Sequence, residues 1–235
     1  MQENVAVVTG GTGGVGRALI PYLVRRDFKI AATYLIPEEA RKLEDELDLD
    51  EDRLILRRCD CTDAEAVESM FKDVVAIFGP PNVVTALVGG WAGGRDVAET
   101  DPVRFDRMID LNLRSTFYVL RAALPYMRDV EWGRIVAIGS RAATDNPAGQ
   151  AMFNASKAAV TSLVQTLAKE LDDTNVTANV LVPSLIDTQA TRRALPYADY
   201  MHWPKPGEIA EVLDFLLSPA SEIINGATIP VFGKV

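Results

Sequence analysis

The stretch Thr9-Gly10-Gly11-Thr12-Gly13-Gly14-Val15-Gly16 constrains this chain more than any other. It follows a short apolar run, residues 5–8, and precedes apolar residues at helical spacing, Ala18, Leu19, Tyr22 and Leu23. A short apolar run bounded by turn signals reads as a strand buried on both faces. Glycines permit positive φ and let a bulky anion approach the main chain. A helix that starts there turns free N–H groups and the positive end of its dipole toward the loop. Strand, glycine loop and helix together predict a pyrophosphate-binding turn rather than a plain tight turn.

The rest of the chain repeats the alternation. Strands are expected over residues 29–34, 54–58, 83–88, 134–138, 176–181 and 227–231, and helices over 17–26, 37–47, 62–78, 101–127, 149–171 and 206–217. Regular β-α alternation predicts an α/β fold, a single doubly wound parallel sheet of about seven strands with helices on both faces. No linker or repeat divides it, so residues 1–235 read as one dinucleotide-binding domain. Residues 183–206 are long for a loop and are expected to form a lid over a site.

Composition excludes some partners. A net charge of −9 argues against nucleic acid or an anionic membrane surface, since both need a basic face. The chain opens without a basic segment before its short apolar run, so a cytoplasmic protein is expected. Cys59 and Cys61 flank Asp60 and are read as reduced structural thiols, because a bond between such close neighbours would be strained. With one histidine, His202, no metal-binding spacing is present.

The spacing Thr-Gly-x-x-x-Gly-x-Gly resembles the short-chain dehydrogenase/reductase family, and the resemblance extends over nearly the whole chain. It implies a hydride transfer with NAD or NADP as cofactor. On the matching positions it implies that Gly10, Thr12, Gly14, Val15 and Gly16 hold the pyrophosphate, that Tyr34 lies at the ribose and Asp60 at the adenine, and that Gly89, Gly90, Pro183 and Thr188 line the nicotinamide side. Asn112 matches the family's helical Asn, Ser140 the Ser that binds the substrate carbonyl, and Lys157 the Lys that contacts the ribose. Each alone has a plainer reading: Asn112 satisfying helix backbone, Ser140 capping a strand end, Lys157 solvated. The family's members assemble as dimers or tetramers through long helices, so a homo-oligomer is expected.

Four departures stand out. Strand four ends Ala86-Leu87-Val88-Gly89, without the structural Asn usual there. The run from Gly89 to Gly94, and a second stretch made of Asp187-Thr188, Arg192 to Asp199 and Trp203-Pro204, resemble quinoid dihydropteridine reductase, a branch of the same family. On that likeness Trp91, Tyr197 and Trp203 are candidate substrate contacts, with Arg141, next to Ser140 in the sequence, as a fourth; Trp91 could stack on a flat heterocycle or simply anchor its loop. The end of strand two, Thr33-Tyr34-Leu35-Ile36, has neither the acid of NAD enzymes nor the Arg of NADP enzymes. The missing cation gives a slight lean to NAD, which Arg17 weakens.

The largest departure is Phe153. The family's proton donor is the Tyr of Tyr-x-x-x-Lys, and here the motif reads Phe153-Asn154-Ala155-Ser156-Lys157. Phe cannot donate a proton, and positioned acid/base catalysis contributes roughly 10²–10⁴-fold. Three readings stay open: an engineered Tyr→Phe exchange in a working reductase; a reductase whose carbonyl or quinonoid dihydropterin-like substrate needs little protonation, or takes its proton from Tyr197, Tyr200 or His202; and a catalytically inactive dinucleotide-binding pseudoenzyme with a regulatory or assembly role.

Overall fold

The apolar run ahead of the glycine loop forms β1 (Val5–Thr9), with all five residues buried. Six further strands join it: β2 (Lys29–Tyr34), β3 (Leu54–Arg58), β4 (Val83–Ala86), β5 (Gly133–Ile138), β6 (Val176–Pro183) and β7 (Thr228–Val231). They form one parallel sheet in the order β3-β2-β1-β4-β5-β6-β7. The structure, a computed structural model, describes residues 4–234. Met1–Glu3, ahead of β1, lie outside the described residues.

Alternate residues of each strand face two separate cores. Val5 and Val7 point to one face, covered by α3 (Ala64–Phe78), α5 (Ser115–Met127) and α7 (Ala151–Glu170). Ala6 and Val8 point to the other, covered by α1 (Gly14–Arg25), α2 (Pro37–Leu47) and α9 (Pro206–Leu216). Both faces of a parallel sheet must be covered, which is why the strands read as continuous apolar runs. Asp63 starts α3 as its N-cap, accepting from the Glu65 and Ala66 amides.

Two segments differ from the sequence expectation. The helix expected over 101–127 is α4 (Pro102–Met108), then a π-helical segment, Ile109–Arg114, then α5. The Ser115 and Thr116 hydroxyls bond back to the Leu111 and Asn112 carbonyls, so the ladder through this segment is shared with side chains. The stretch from 183 to 206 is not wholly irregular. It carries α8 (Gln189–Ala194), whose first turn is capped by the Thr188 hydroxyl accepting from the Thr191 amide.

β1 runs to β2 and β3 on one side, and the chain then crosses to β4 on the other. This reversal opens a crevice at the carboxyl ends of β1 and β4, where ligands bind in open α/β sheets. The first turn of α1 closes on it tightly. A Cβ on Gly16 would lie 2.5 Å from the Gly10 carbonyl oxygen and 2.7 Å from the Gly11 Cα. Main-chain atoms cannot swing aside. Gly16→Ala is therefore expected to lower unfolding stability by about 1–3 kcal/mol, read as a lower denaturant midpoint; an unchanged midpoint would show that α1 can shift outward freely.

Candidate active site

The glycine loop is shaped by β2 before any ligand arrives. The Gly10 amide donates to Thr33 Oγ1 and the Gly11 amide to the Thr33 carbonyl, both at 2.9 Å. Gly10 takes φ +69°, and Gly13 caps α1 without a side chain. The first-turn N–H groups of Gly14, Val15 and Gly16 thus have no side-chain acceptor, and they point into the crevice as an anion cradle. Thr12 is buried beside them and donates to Glu39 at 3.1 Å. The glycine cradle and the free amides fit a dinucleotide pyrophosphate.

Thr9 answers the loss of the structural Asn. Its hydroxyl donates to the Thr85 carbonyl at 2.9 Å and accepts from the Leu87 amide at 3.3 Å, tying the ends of β1 and β4 together. Thr188 closes the crevice from the lid side. Its methyl lies 3.0 Å from where a Gly14 Cβ would be, and Pro183 ends β6 behind it. Tyr34 closes β2, half-buried, and Asp60 turns its carboxylate onto the Thr62 amide and hydroxyl. The Cys59 and Cys61 thiols beneath are buried and free; Cys61 donates to Cys59, which holds the Cys61 thiol up and the Cys59 thiol down.

Two of the expected catalytic positions, Asn112 and Lys157, converge on Gly89 and Gly90. Asn112, fully buried in the π-helical segment, accepts from the Gly90 amide and donates to the Gly90 carbonyl, each at 3.0 Å. The same amide group donates to Ser156 at 3.1 Å. A Cβ on Gly89 would meet Asn112 Oδ1 at 2.9 Å and Lys157 Nζ at 3.2 Å, so the glycine lets the loop lie close against both groups. Lys157 Nζ donates to the Ile138 carbonyl at 2.8 Å. Ser140 follows at the end of β5, its oxygen accepting from the Ala142 amide at 3.2 Å. Phe153 is half-buried one helical turn before Lys157, on the same face of α7.

The candidate substrate residues divide. Trp91 is at the site's mouth, 43% exposed, and its indole N–H donates to Gln150 at 2.7 Å; Gln150 caps the helix carrying Phe153 and Lys157. Arg141 is turned to Asp145 at 2.7 Å and over the Phe232 ring. Tyr197 is fully exposed, and Trp203 is buried against Tyr200, so neither is brought to the crevice. Tyr200 lies under the Arg192 guanidinium, which also grips Asp187 through two nitrogens and holds that carboxyl below its usual range. His202 is exposed. Thr9, Gln150 and Ser156 are contacts that sequence reasoning did not find. Gln150 alone carried a local signal, one helical turn ahead of Phe153.

Burial without a countercharge pushes the Lys157 ammonium down to about 8. In the unfolded chain the same lysine stays protonated to its ordinary 10.5. Between those values the unfolded state binds more protons, so stability rises with pH across this window. The cost of burying the charge is fully present below about 8. Lys157→Met is expected to remove about 3 kcal/mol of the rise in unfolding free energy between pH 7 and pH 10.5. Parallel denaturation curves for the two proteins over that range, showing equal rises, would contradict it.

Comparison with known proteins covers the same elements. Residues 4–197 match the family model described as short chain dehydrogenase. The chain is 33% identical, over 235 residues, to the 3-oxoacyl-[acyl-carrier-protein] reductase MabA of Mycobacterium tuberculosis, covering 97% of this chain and 90% of that one. It is 31% identical over 240 residues to the 3-oxoacyl-[acyl-carrier-protein] reductase FabG of Salmonella typhimurium, covering 99% and 97%. In three dimensions it is similar to a Pseudomonas aeruginosa short chain oxidoreductase, bound to NADPH and described as containing an atypical catalytic center, with a TM-score of 0.91, 26% identity and 100% and 97% of the two chains covered.

Proposed function

Because the chain belongs to the short-chain dehydrogenase family, we propose that it is an oxidoreductase of that type that uses NADPH to reduce a carbonyl or a quinonoid dihydropterin-like substrate. When bound, the nicotinamide supplies a hydride. The residues that would hold it are Gly10, Thr12, Gly14, Val15 and Gly16 at the pyrophosphate, Tyr34 and Asp60 at the adenosine, and Gly89, Gly90, Lys157, Pro183 and Thr188 toward the nicotinamide. Ser140 would bind the substrate oxygen, and Trp91, held by Gln150, would form one wall of its pocket. The segment 183–206 would act as the lid, latched through Arg192, Asp187 and Tyr200.

One observation carries this reading. The buried ammonium of Lys157 is kept without a countercharge against Gly89, and Asn112 is kept against Gly90. Burying a charge without a countercharge is costly, and groups perturbed in this way cluster at functional sites. The similar oxidoreductase from Pseudomonas aeruginosa has NADPH bound and an atypical catalytic center, which supports NADPH over the lean to NAD and supports binding without the usual center. The 3-oxoacyl reductases among the relatives support a carbonyl substrate, and Trp91 supports a flat heterocycle.

The second reading, a dinucleotide-binding pseudoenzyme, is favoured by Phe153 alone. Two copies would meet across α5 and α7, where an apolar cleft of about 490 Å³ is lined by Phe117, Leu120, Leu124, Leu163 and Leu167. No helix among the described residues is long and apolar enough to cross a membrane, and a cytoplasmic location is part of this reading.

Phe153→Tyr restores the missing hydroxyl one turn from Lys157. NADPH oxidation with a ketone panel and with quinonoid dihydropterin should rise by at least about tenfold. No rise, with NADPH still bound, would leave the pseudoenzyme.

A further inference from the structure

The end of β2 offers no cation to a nucleotide: Tyr34 closes the strand, and the exposed Leu35 and Ile36 follow it. The parallel register supplies one from the next strand. Tyr34 pairs with Arg58, the last residue of β3, and the Cys59 amide donates to the Tyr34 carbonyl at 3.0 Å. Paired residues of neighbouring strands project to the same face of a sheet. Arg58 therefore stands beside Tyr34 at the carboxyl edge of the sheet, one strand beyond Thr33, which holds the glycine loop.

The other charged groups of this edge are engaged. Arg17, the cation nearest the glycine loop in sequence, is paired with Glu46. Arg57 faces the opposite side and donates to the Leu56 carbonyl. Glu39 takes the Thr12 hydroxyl, Glu38 faces Arg41 at 3.7 Å, and Asp60 is occupied by Thr62. Arg58 is exposed and makes no hydrogen bond or ion pair among the described residues. An arginine standing free at a strand edge, with the neighbouring acids already satisfied, is suited to a doubly charged phosphate, which its fork of N–H groups can grip with two bonds.

We propose that Arg58 is the residue that binds a 2′-phosphate on the adenosine ribose, so that selection of a 2′-phosphorylated dinucleotide is made from β3 rather than from β2. This rests on the dinucleotide reading of the crevice. A ribose 2′-hydroxyl carries no charge for the guanidinium, so Arg58 adds little to a dinucleotide without the phosphate. The contact lies at the surface, so salt weakens it.

Calorimetric titration of the full chain with 2′,5′-ADP and with 5′-AMP isolates the contact without turnover. The native protein should bind 2′,5′-ADP at least tenfold more tightly, and the gap should narrow as salt is raised. Arg58→Leu should lose at least tenfold in affinity for 2′,5′-ADP and leave 5′-AMP unchanged, which also reports that the variant is folded. An undiminished preference in Arg58→Leu, or an equal loss for both probes, overturns the role of Arg58 while the dinucleotide reading stands. A native chain that binds neither probe overturns that reading, and this proposal with it.

Discussion

The closeness of α1 to the carboxyl ends of β1 and β2 is the constraint on which the crevice depends. Gly16 rests on the main chain of Gly10 and Gly11, and Gly11 in turn rests on Ala32, whose Cβ would stand 2.6 Å from a Cβ at position 11. Thr33 fixes the loop from β2 through two hydrogen bonds. Without these contacts the first-turn amides of α1 would not face the sheet edge, and the anion cradle would be lost. Every other element of the site is placed relative to this corner: β4 through Thr9, and the lid through Thr188 on Gly14.

A second constraint acts at the far side of the crevice. Lys157 and Asn112 are both buried, and each is satisfied by main-chain atoms. The glycines at 89 and 90 let the loop come this close, since a Cβ at 89 would press on Asn112 Oδ1 at 2.9 Å and one at 90 on Leu111 at 2.8 Å. Phe153 leaves this arrangement standing. Relative to the family's motif, the position lacks a phenol oxygen, while the groups around it keep their partners. On the proposed reading the site keeps its binding groups and lacks a proton donor, and Tyr197 and His202 are both exposed.

Much of this was readable from the sequence because the signals are local. The glycine loop declares itself by strand, turn and helix in succession. Phe153 and Lys157 lie one turn apart, so their shared face follows from helical period alone. What escaped depends on pairing between distant segments. Thr9 reaches Thr85 and Leu87 only once β1 and β4 are known to be neighbours. Gln150 and Trp91 meet across a loop and a helix cap. Arg58 gains its place from the register of β2 with β3, so a search confined to the end of β2 finds no cation. Helix α8 was read as loop because it is only six residues long, and its start is marked by Thr188 rather than by an apolar stripe.

The central claim is that the dinucleotide site is intact although Phe153 stands at the donor position. Titrating the native protein with NADPH, while following the reduced nicotinamide's fluorescence and the difference in tryptophan emission between the native protein and Trp91→Phe, tests it most directly. Saturable binding at a single site per chain, with quenching of the indole, is the predicted result. Nicotinamide emission that stays as in free solution, with the indole unchanged, would contradict it.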